Sequence, residues 1–346
     1  MLRSTKFSFG QITTEVFFQP FFNGIFNDII YNKLKTELQH INVDFTNHFG
    51  ETKKFPLSYQ LFGKPLHSAP IILVNHALTG NSDVAGEKGW WKTLVGNDKI
   101  IDTNTFTVIC FNVPGNGYDG FLIDDYQNFT TSDIALIFLL GLKKLKINKL
   151  FALVGGSIGG SIGWEMLAQS NDLAERFIPI ATDHQTTDWL YSQCLVQKFL
   201  LESRDQPLEK ARIHAMLLYR TPESLNLRFK NEFDADKQVR KSQDWLDYHG
   251  KSLNDRFSLK AYRLMNHLLT TINVSDKDIL NINSKIHLIS VDSDLFFPAF
   301  EIKKTYNILT SNHKNTNYYE IQSIHGHDAF LMEYDQLNNI LKNIFS

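Results

Sequence analysis

Cysteine is nearly absent: Cys110 and Cys194 are the two in a chain of 346 residues. That excludes a disulfide scaffold and a cysteine-built zinc site, and it predicts two buried, reduced thiols in a reducing, cytoplasmic compartment. With 9 prolines and 19 glycines the chain is neither collagenous nor of low complexity. Charge of one sign is lacking too, since 35 Lys and Arg face 37 Asp and Glu, a formal net charge of −2. Such a balance gathers neither a phosphate backbone nor an anionic lipid surface, so no nucleic-acid or membrane partner is expected. The longest apolar stretch, Ile134 to Leu142, is about half of the roughly 20 residues that a membrane helix needs. The charged start, Met1 to Lys6, runs into phenylalanines broken by Gln19, Pro20, Asn23 and Gly24, so no secretory signal is expected.

Apolar residues make up 43% of the chain and charged residues 21%, the composition of a globular protein with a sizeable core. At about 150 residues per domain, the length predicts one large domain or a domain with an insertion. Residues 1–55 alternate Phe-rich patches with polar clusters such as 42–47 and predict only extended pieces and loops. Leu57 to Phe62 alternates like a half-buried strand and ends at Gly63-Lys64-Pro65. Solid apolar runs at 70–74, 106–111, 150–154 and 286–291 read as buried strands of a parallel sheet. Ser132 to Leu145, opened by Thr131-Ser132-Asp133 as a cap, reads as a helix between two of them, so strand, helix and strand repeat as in an α/β fold. From 184 to 280 the strand signal disappears. Leu190 to Glu202, Leu208 to Tyr219 and Ser258 to Thr271 are helix-compatible, which predicts an all-helical insertion forming a lid over a core of residues 56–183 and 281–346.

The chemical signal lies in Val154-Gly155-Gly156-Ser157-Ile158-Gly159-Gly160, between an expected strand and an expected helix. This is the G-x-S-x-G pattern in the context it requires: a tight turn lifts the serine hydroxyl above the sheet, and the helix N-terminus favours developing negative charge. A phosphate-binding loop is the other reading, but no lysine follows and the glycines are not spaced as G-x-G-x-x-G. A serine nucleophile needs a base oriented by an acid, in the chain order Ser, acid, His. Asp292 and Asp294 follow the strand at 286–291, with Asp294 further into the loop; His325 and His327 follow a short strand at 318–321. Residue chemistry alone leaves both pairs open. For the oxyanion, one backbone N–H is expected from Ile158 and a second from Leu78, in the loop Asn75 to Gly80 after the strand at 70–74. His76, which precedes the serine, is read as structural. No residue cluster suggests a metal.

Several stretches together resemble the homoserine O-acetyltransferase family of α/β-hydrolase-fold enzymes. They are Asn75-His-Ala-Leu-Thr-Gly80, Gly89-Trp-Trp91, Asp102 to Asn112, Gly155 to Gly160 and Ile178 to Thr182. In the insertion come Ala211-Arg212, Tyr219-Arg220, Tyr248-His-Gly250 and Arg256-Phe257; Asp294 to Pro298 and Gly326 to Leu331 follow. The resemblance runs from about residue 57 to the C-terminus. It implies an α/β-hydrolase fold with Ser157, Asp294 and His327 as catalytic residues, Asp328 meeting the substrate ammonium and Lys198 standing where the family carries a carboxylate-binding arginine. It further implies acetyl-CoA as co-substrate with no bound cofactor, L-homoserine as acceptor, a ping-pong route in methionine biosynthesis and a homodimer through the lid helices. Asn112 to Gly120 departs from the family's Gly-Gly-rich stretch ending in Thr-Gly-Pro. That departure keeps an esterase or thioesterase as the second reading, beside transfer of another acyl group or to L-serine; a silent binding protein on the same fold is the third.

Overall fold

The computed structural model describes residues 37–46, 50–312 and 314–345. Expectations for residues 1–36 lie outside the described residues. Eight strands form the main sheet: β1 (Gln39–Thr46), β2 (Thr52–Gly63), β3 (Ile71–Asn75), β4 (Thr107–Phe111), β5 (Leu150–Gly156), β6 (Ala174–Ile180), β7 (Lys285–Val291) and β8 (Thr316–Ile321). Their order across the sheet is β1-β2-β4-β3-β5-β6-β7-β8. β1 and β2 are antiparallel to their neighbours, and from β4 onward every pair is parallel.

The solid apolar runs become inner strands because both faces of the sheet are covered. Along β3 the residues alternate between two core layers. Ile71 and Leu73 pack on one side with Ile134, Phe138 and Trp164, which belong to α1 (Thr131–Lys144) and α2 (Ile158–Gln169). Ile72 and Val74 pack on the other with Trp91, Leu94 and Leu337, the last from α9 (Tyr334–Phe345). Helix α1 starts one residue before the expected cap: Thr130 Oγ1 accepts from Asp133 N–H, and the Asp133 carboxylate takes the Thr130 N–H in return. That closes a capping box.

Two strands differ from the sequence expectation. β1 shows a one-sided pattern in which Val43 and Phe45 are buried, so residues expected only as extended pieces and loops add an antiparallel strand beside β2. β6 is absent from the apolar-run reading because Glu175, Arg176 and Pro179 interrupt it, although Phe177, Ile178 and Ile180 are buried.

Between β6 and β7 lie α3 (Asp188–Leu201), α4 (Pro207–Tyr219), α5 (Pro222–Phe229), α6 (Lys241–Asn254), α7 (Leu259–Leu269) and α8 (Asp276–Asn281). Composition predicts an all-helical insertion, and the structure corrects this. Phe233–Asp234 pairs with Val239–Arg240, because the Asp234 carboxylate accepts the N–H groups of Asp236 and Lys237 and folds a tight turn. After β3 the chain moves to β4 on one side, and β5 then pairs on the other. The loops following β3 and β5 therefore emerge side by side at the switch point, where open α/β sheets carry their sites.

Candidate active site

Ser157 directly follows β5 and caps α2, with φ 55° and ψ −135°, a conformation a side-chain-bearing residue adopts only when its surroundings force it. Several contacts supply that force. Ser157 N–H donates to Ile180 C=O at 2.9 Å, and Ser157 C=O accepts from Gly160 N–H at 2.9 Å. The first turn of α2 lies so near β3 that a Cβ on Gly159 would stand 2.3 Å from the Asn75 carbonyl oxygen. A Cβ on Gly155 would fall 2.4 Å from the Gly159 carbonyl. Only glycine leaves room for strand and helix to meet there.

His327 sits in the 3-10 turn Gly326–Leu331 after β8. Its Nδ1 lies 2.7 Å from Asp294 Oδ2 and its Nε2 lies 2.9 Å from Ser157 Oγ. A carboxylate only accepts, so Nδ1 carries the proton and Nε2 is left to accept from the serine hydroxyl. Asp294 Oδ1 is taken by Phe296 N–H at 2.7 Å and Phe297 N–H at 2.9 Å, which orients the carboxylate at the end of β7. Phe297 stacks on the imidazole, Phe296 and Phe330 meet it edge-on, and Tyr219 packs beside it. This aromatic cage keeps the relay dry, and its low dielectric strengthens each polar contact.

The pairs that residue chemistry left open resolve by geometry. Asp294 and His327 reach Ser157, whereas Asp292 Oδ1 accepts from Ser323 N–H at 2.9 Å and braces the turn. His325 bonds Ser224 Oγ at 2.9 Å. Leu78 and Ile158 both border the serine, Leu78 in the wall of the cleft and Ile158 as the first residue of α2. Among the described residues neither N–H has a hydrogen-bond partner. His76 is structural, as expected: it is buried, donates from Nδ1 to Ala77 C=O at 2.8 Å and accepts Val113 N–H at Nε2 at 3.0 Å. Burial pulls its pKa down to about 4, so the ring stays neutral. Cys110 and Cys194 are both buried thiols, and burial pushes Cys194 up to about 12. Among the described residues no group of three or more His, Cys, Asp or Glu side chains comes together as a metal site.

The cleft above Ser157 holds about 70 Å³ and is bordered by Leu78, Thr79, Arg212, Tyr219, Asp328 and Leu331. Lys198 is not there. It lies on the exposed side of α3, 2.6 Å from Glu202, and borders a separate cavity with Tyr126 and Arg263. Among the described residues that border the cleft, the cation is Arg212 of α4, whose guanidinium stands 5.6 Å from the Tyr219 ring centre. Sequence reasoning missed this placement, although Arg212 and Tyr219 are seven residues apart and so share one helix face. Asp328 does reach the cleft, and its Oδ2 accepts from Arg220 Nε at 2.9 Å. Arg256 reaches over from the insertion and donates to Thr79 C=O at 3.2 Å.

Residues 219–224 of the insertion grip the histidine loop. Arg220 holds Asp328, Thr221 Oγ1 donates to Ile324 C=O and Ser224 holds His325. Gly326, at φ 65°, lies so near Tyr219 that a Cβ there would stand 2.9 Å from the tyrosine carbonyl. The divergent 112–120 stretch does not border the cleft; it packs behind the β3 loop, where Asn112 Oδ1 accepts Ser82 N–H at 2.8 Å.

A profile of the alpha/beta hydrolase fold family matches residues 70–331. A homoserine O-acetyltransferase of Cyclobacterium marinum is 30% identical over 328 aligned residues, covering 84% of this chain and 90% of that protein. Among solved structures, homoserine O-acetyltransferase from Bacillus anthracis superposes with a TM-score of 0.80 at 18% identity, covering 90% of this chain and 97% of the other. Esterase E22 superposes with a TM-score of 0.79 at 18% identity, covering 90% and 100%. At those identities the two structures speak to the fold alone, which they share over nearly its full extent. The sequence relationship and the matched fold together make this chain a member of the homoserine O-acetyltransferase family, acyltransferase enzymes built on the α/β-hydrolase fold.

Proposed function

We propose that the protein moves an acetyl group from acetyl-CoA to the hydroxyl of L-homoserine through an acetyl-Ser157 intermediate. The observation that carries this reading is the relay from Asp294 through His327 to Ser157, at 2.7 and 2.9 Å. His327 Nε2 takes the Ser157 proton as Oγ attacks the thioester carbonyl. The Leu78 and Ile158 N–H groups meet the oxyanion, and CoA leaves as the thiol with the proton from His327. Homoserine then gives its hydroxyl proton to His327 and attacks the acetyl carbonyl. Collapse returns the proton to Ser157 and releases O-acetylhomoserine, an intermediate on the way to methionine. Held between Arg212 and Asp328, homoserine is better placed than water to attack the acetyl carbonyl. No helix among the described residues is long and apolar enough to cross a membrane, and buried free thiols fit a reducing, cytoplasmic setting.

Arg212 is the counterpart for the acceptor's carboxylate, and Asp328, steadied by Arg220, for its ammonium. Arg212→Ala is expected to raise KM for homoserine by roughly 10- to 100-fold, the worth of a charge-assisted hydrogen bond. Acetylation of Ser157 should proceed as in the wild type. Lys198→Ala should alter neither, and steady-state kinetics on both variants check the pair.

CoA release from acetyl-CoA, with and without L-homoserine, followed by mass spectrometry of the product, tests the function. Homoserine-dependent release with O-acetylhomoserine supports the transferase. Homoserine-independent release of acetate alone overturns it in favour of a thioesterase. A homodimer through the insertion is part of the same proposal, supported by Tyr191, Leu195 and Phe199, which expose one apolar stripe along α3. Analytical ultracentrifugation that finds only monomer at micromolar concentration would remove it.

A further inference from the structure

Behind the cleft stands a histidine that the proton relay does not use. We infer that His76 is a positioning residue that aims the Leu78 N–H at the oxyanion, acting through the peptide unit between Ala77 and Leu78. The inference rests on the reading of Ser157 as nucleophile and Leu78 as oxyanion donor.

Ala77 C=O and Leu78 N–H are opposite ends of one planar unit, and no peptide bond among the described residues is cis. Fixing the direction of the carbonyl therefore fixes the N–H in the opposite direction. Two donors hold that carbonyl: His76 Nδ1–H at 2.8 Å and Gly80 N–H at 2.9 Å. The ring cannot turn away, because Nε2 is committed to Val113 N–H at 3.0 Å. That bond also dictates the tautomer, since an Nε2 that accepts leaves the proton on Nδ1. Gly80 brings the loop back against His76: a Cβ there would stand 3.1 Å from His76 Cβ. Donors on the carbonyl polarise the peptide and strengthen its own N–H as a donor. A leucine or phenylalanine would fill the same volume. Only a group with a donor at the Nδ1 position and an acceptor at the Nε2 position serves both ends, which separates positioning from filling.

Two substitutions divide the ring's functions. His76→Asn places an amide nitrogen where Nδ1 stands and keeps the donor to Ala77. His76→Gln places its amide near Nε2, keeps an acceptor for Val113 and loses the donor. The readout is the rate of Ser157 acetylation by p-nitrophenyl acetate in stopped flow, which needs no homoserine. His76→Gln is expected to slow acetylation by roughly 100-fold with KM for the ester unchanged, the scale of a lost oxyanion donor. His76→Asn should stay within about tenfold of wild type, since the donor survives. Equal slowing in both variants, or none in the Gln variant, overturns the inference while leaving the Ser157 reading intact. Wild-type protein that forms no acetyl-enzyme overturns the Ser157 reading itself, and the inference with it. Nitrogen NMR of wild-type protein gives a check that needs no variant to fold: His76 should carry its proton on Nδ1, and an Nε2–H tautomer would sink the idea.

Discussion

Ser157→Ala is expected to lower kcat for homoserine acetylation by roughly 10⁶-fold, the loss seen when a serine–histidine nucleophile is removed as a unit. Without Oγ there is no atom to carry the acetyl group between donor and acceptor, and a direct transfer would need both substrates in a cleft of about 70 Å³. Intact-mass spectrometry after mixing with acetyl-CoA alone should show one added acetyl group on wild-type protein and none on the variant. Among the described residues the hydroxyl's one hydrogen-bond partner is His327, so its removal leaves the elbow's backbone bonds in place and the fold should persist. An acetyl group still found on the variant, or turnover within tenfold of wild type, would refute the covalent route.

The second large effect is expected from Asp294→Asn, at roughly 10⁴-fold in kcat, equivalent to about 5.5 kcal/mol of transition-state stabilisation. Its cause can be traced atom by atom. The N–H groups of Phe296 and Phe297 require an acceptor at Oδ1, and in the variant the amide oxygen must stay with them. The amide NH₂ is then left facing His327 Nδ1. Two donors cannot share that contact, so the ring moves its proton to Nε2 and can no longer accept from Ser157. KM should change little, because Asp294 is buried behind the histidine and meets no substrate. Asp292→Asn is the control: its amide oxygen can still accept Ser323 N–H, so its kcat should stay near wild type. A comparable loss in both variants would assign the acid wrongly.

Legibility in the sequence followed the range of the interactions. β3, β4, β5 and β7 could be read because strands covered on both faces need apolar residues at nearly every position. β6 escaped because its buried residues are interrupted by Pro179 and by charges at its start. Ser157 was legible because the elbow is local: four glycines and a serine specify it without reference to distant chain. Its partners were not. Asp292 and Asp294 are chemically equal, and only the exit of β7 and the two N–H groups after it choose between them. The family resemblance chose Asp294 and His327, the pair that stands beside Ser157, yet it also chose Lys198, which lies away from that cleft. The mismatch in position has a plain origin, since which face of α3 or α4 looks toward Ser157 depends on how helices of the insertion pack together, which no short motif encodes.

The grip of residues 219–224 on the histidine loop has a bearing on how such an enzyme can change its acceptor. An insertion attached only at its ends could be exchanged between relatives like a cassette, altering the cleft while leaving the proton relay alone. Here Arg220, Thr221 and Ser224 bind the loop that carries His327, so a transplanted insertion brings its own setting of that ring. Under the proposed mechanism, selectivity and rate are thereby inherited together. Attempts to redesign the acceptor by swapping whole insertions should yield slow enzymes, whereas libraries that keep 219–224 constant and vary the α4 face around Arg212 can move one property without the other.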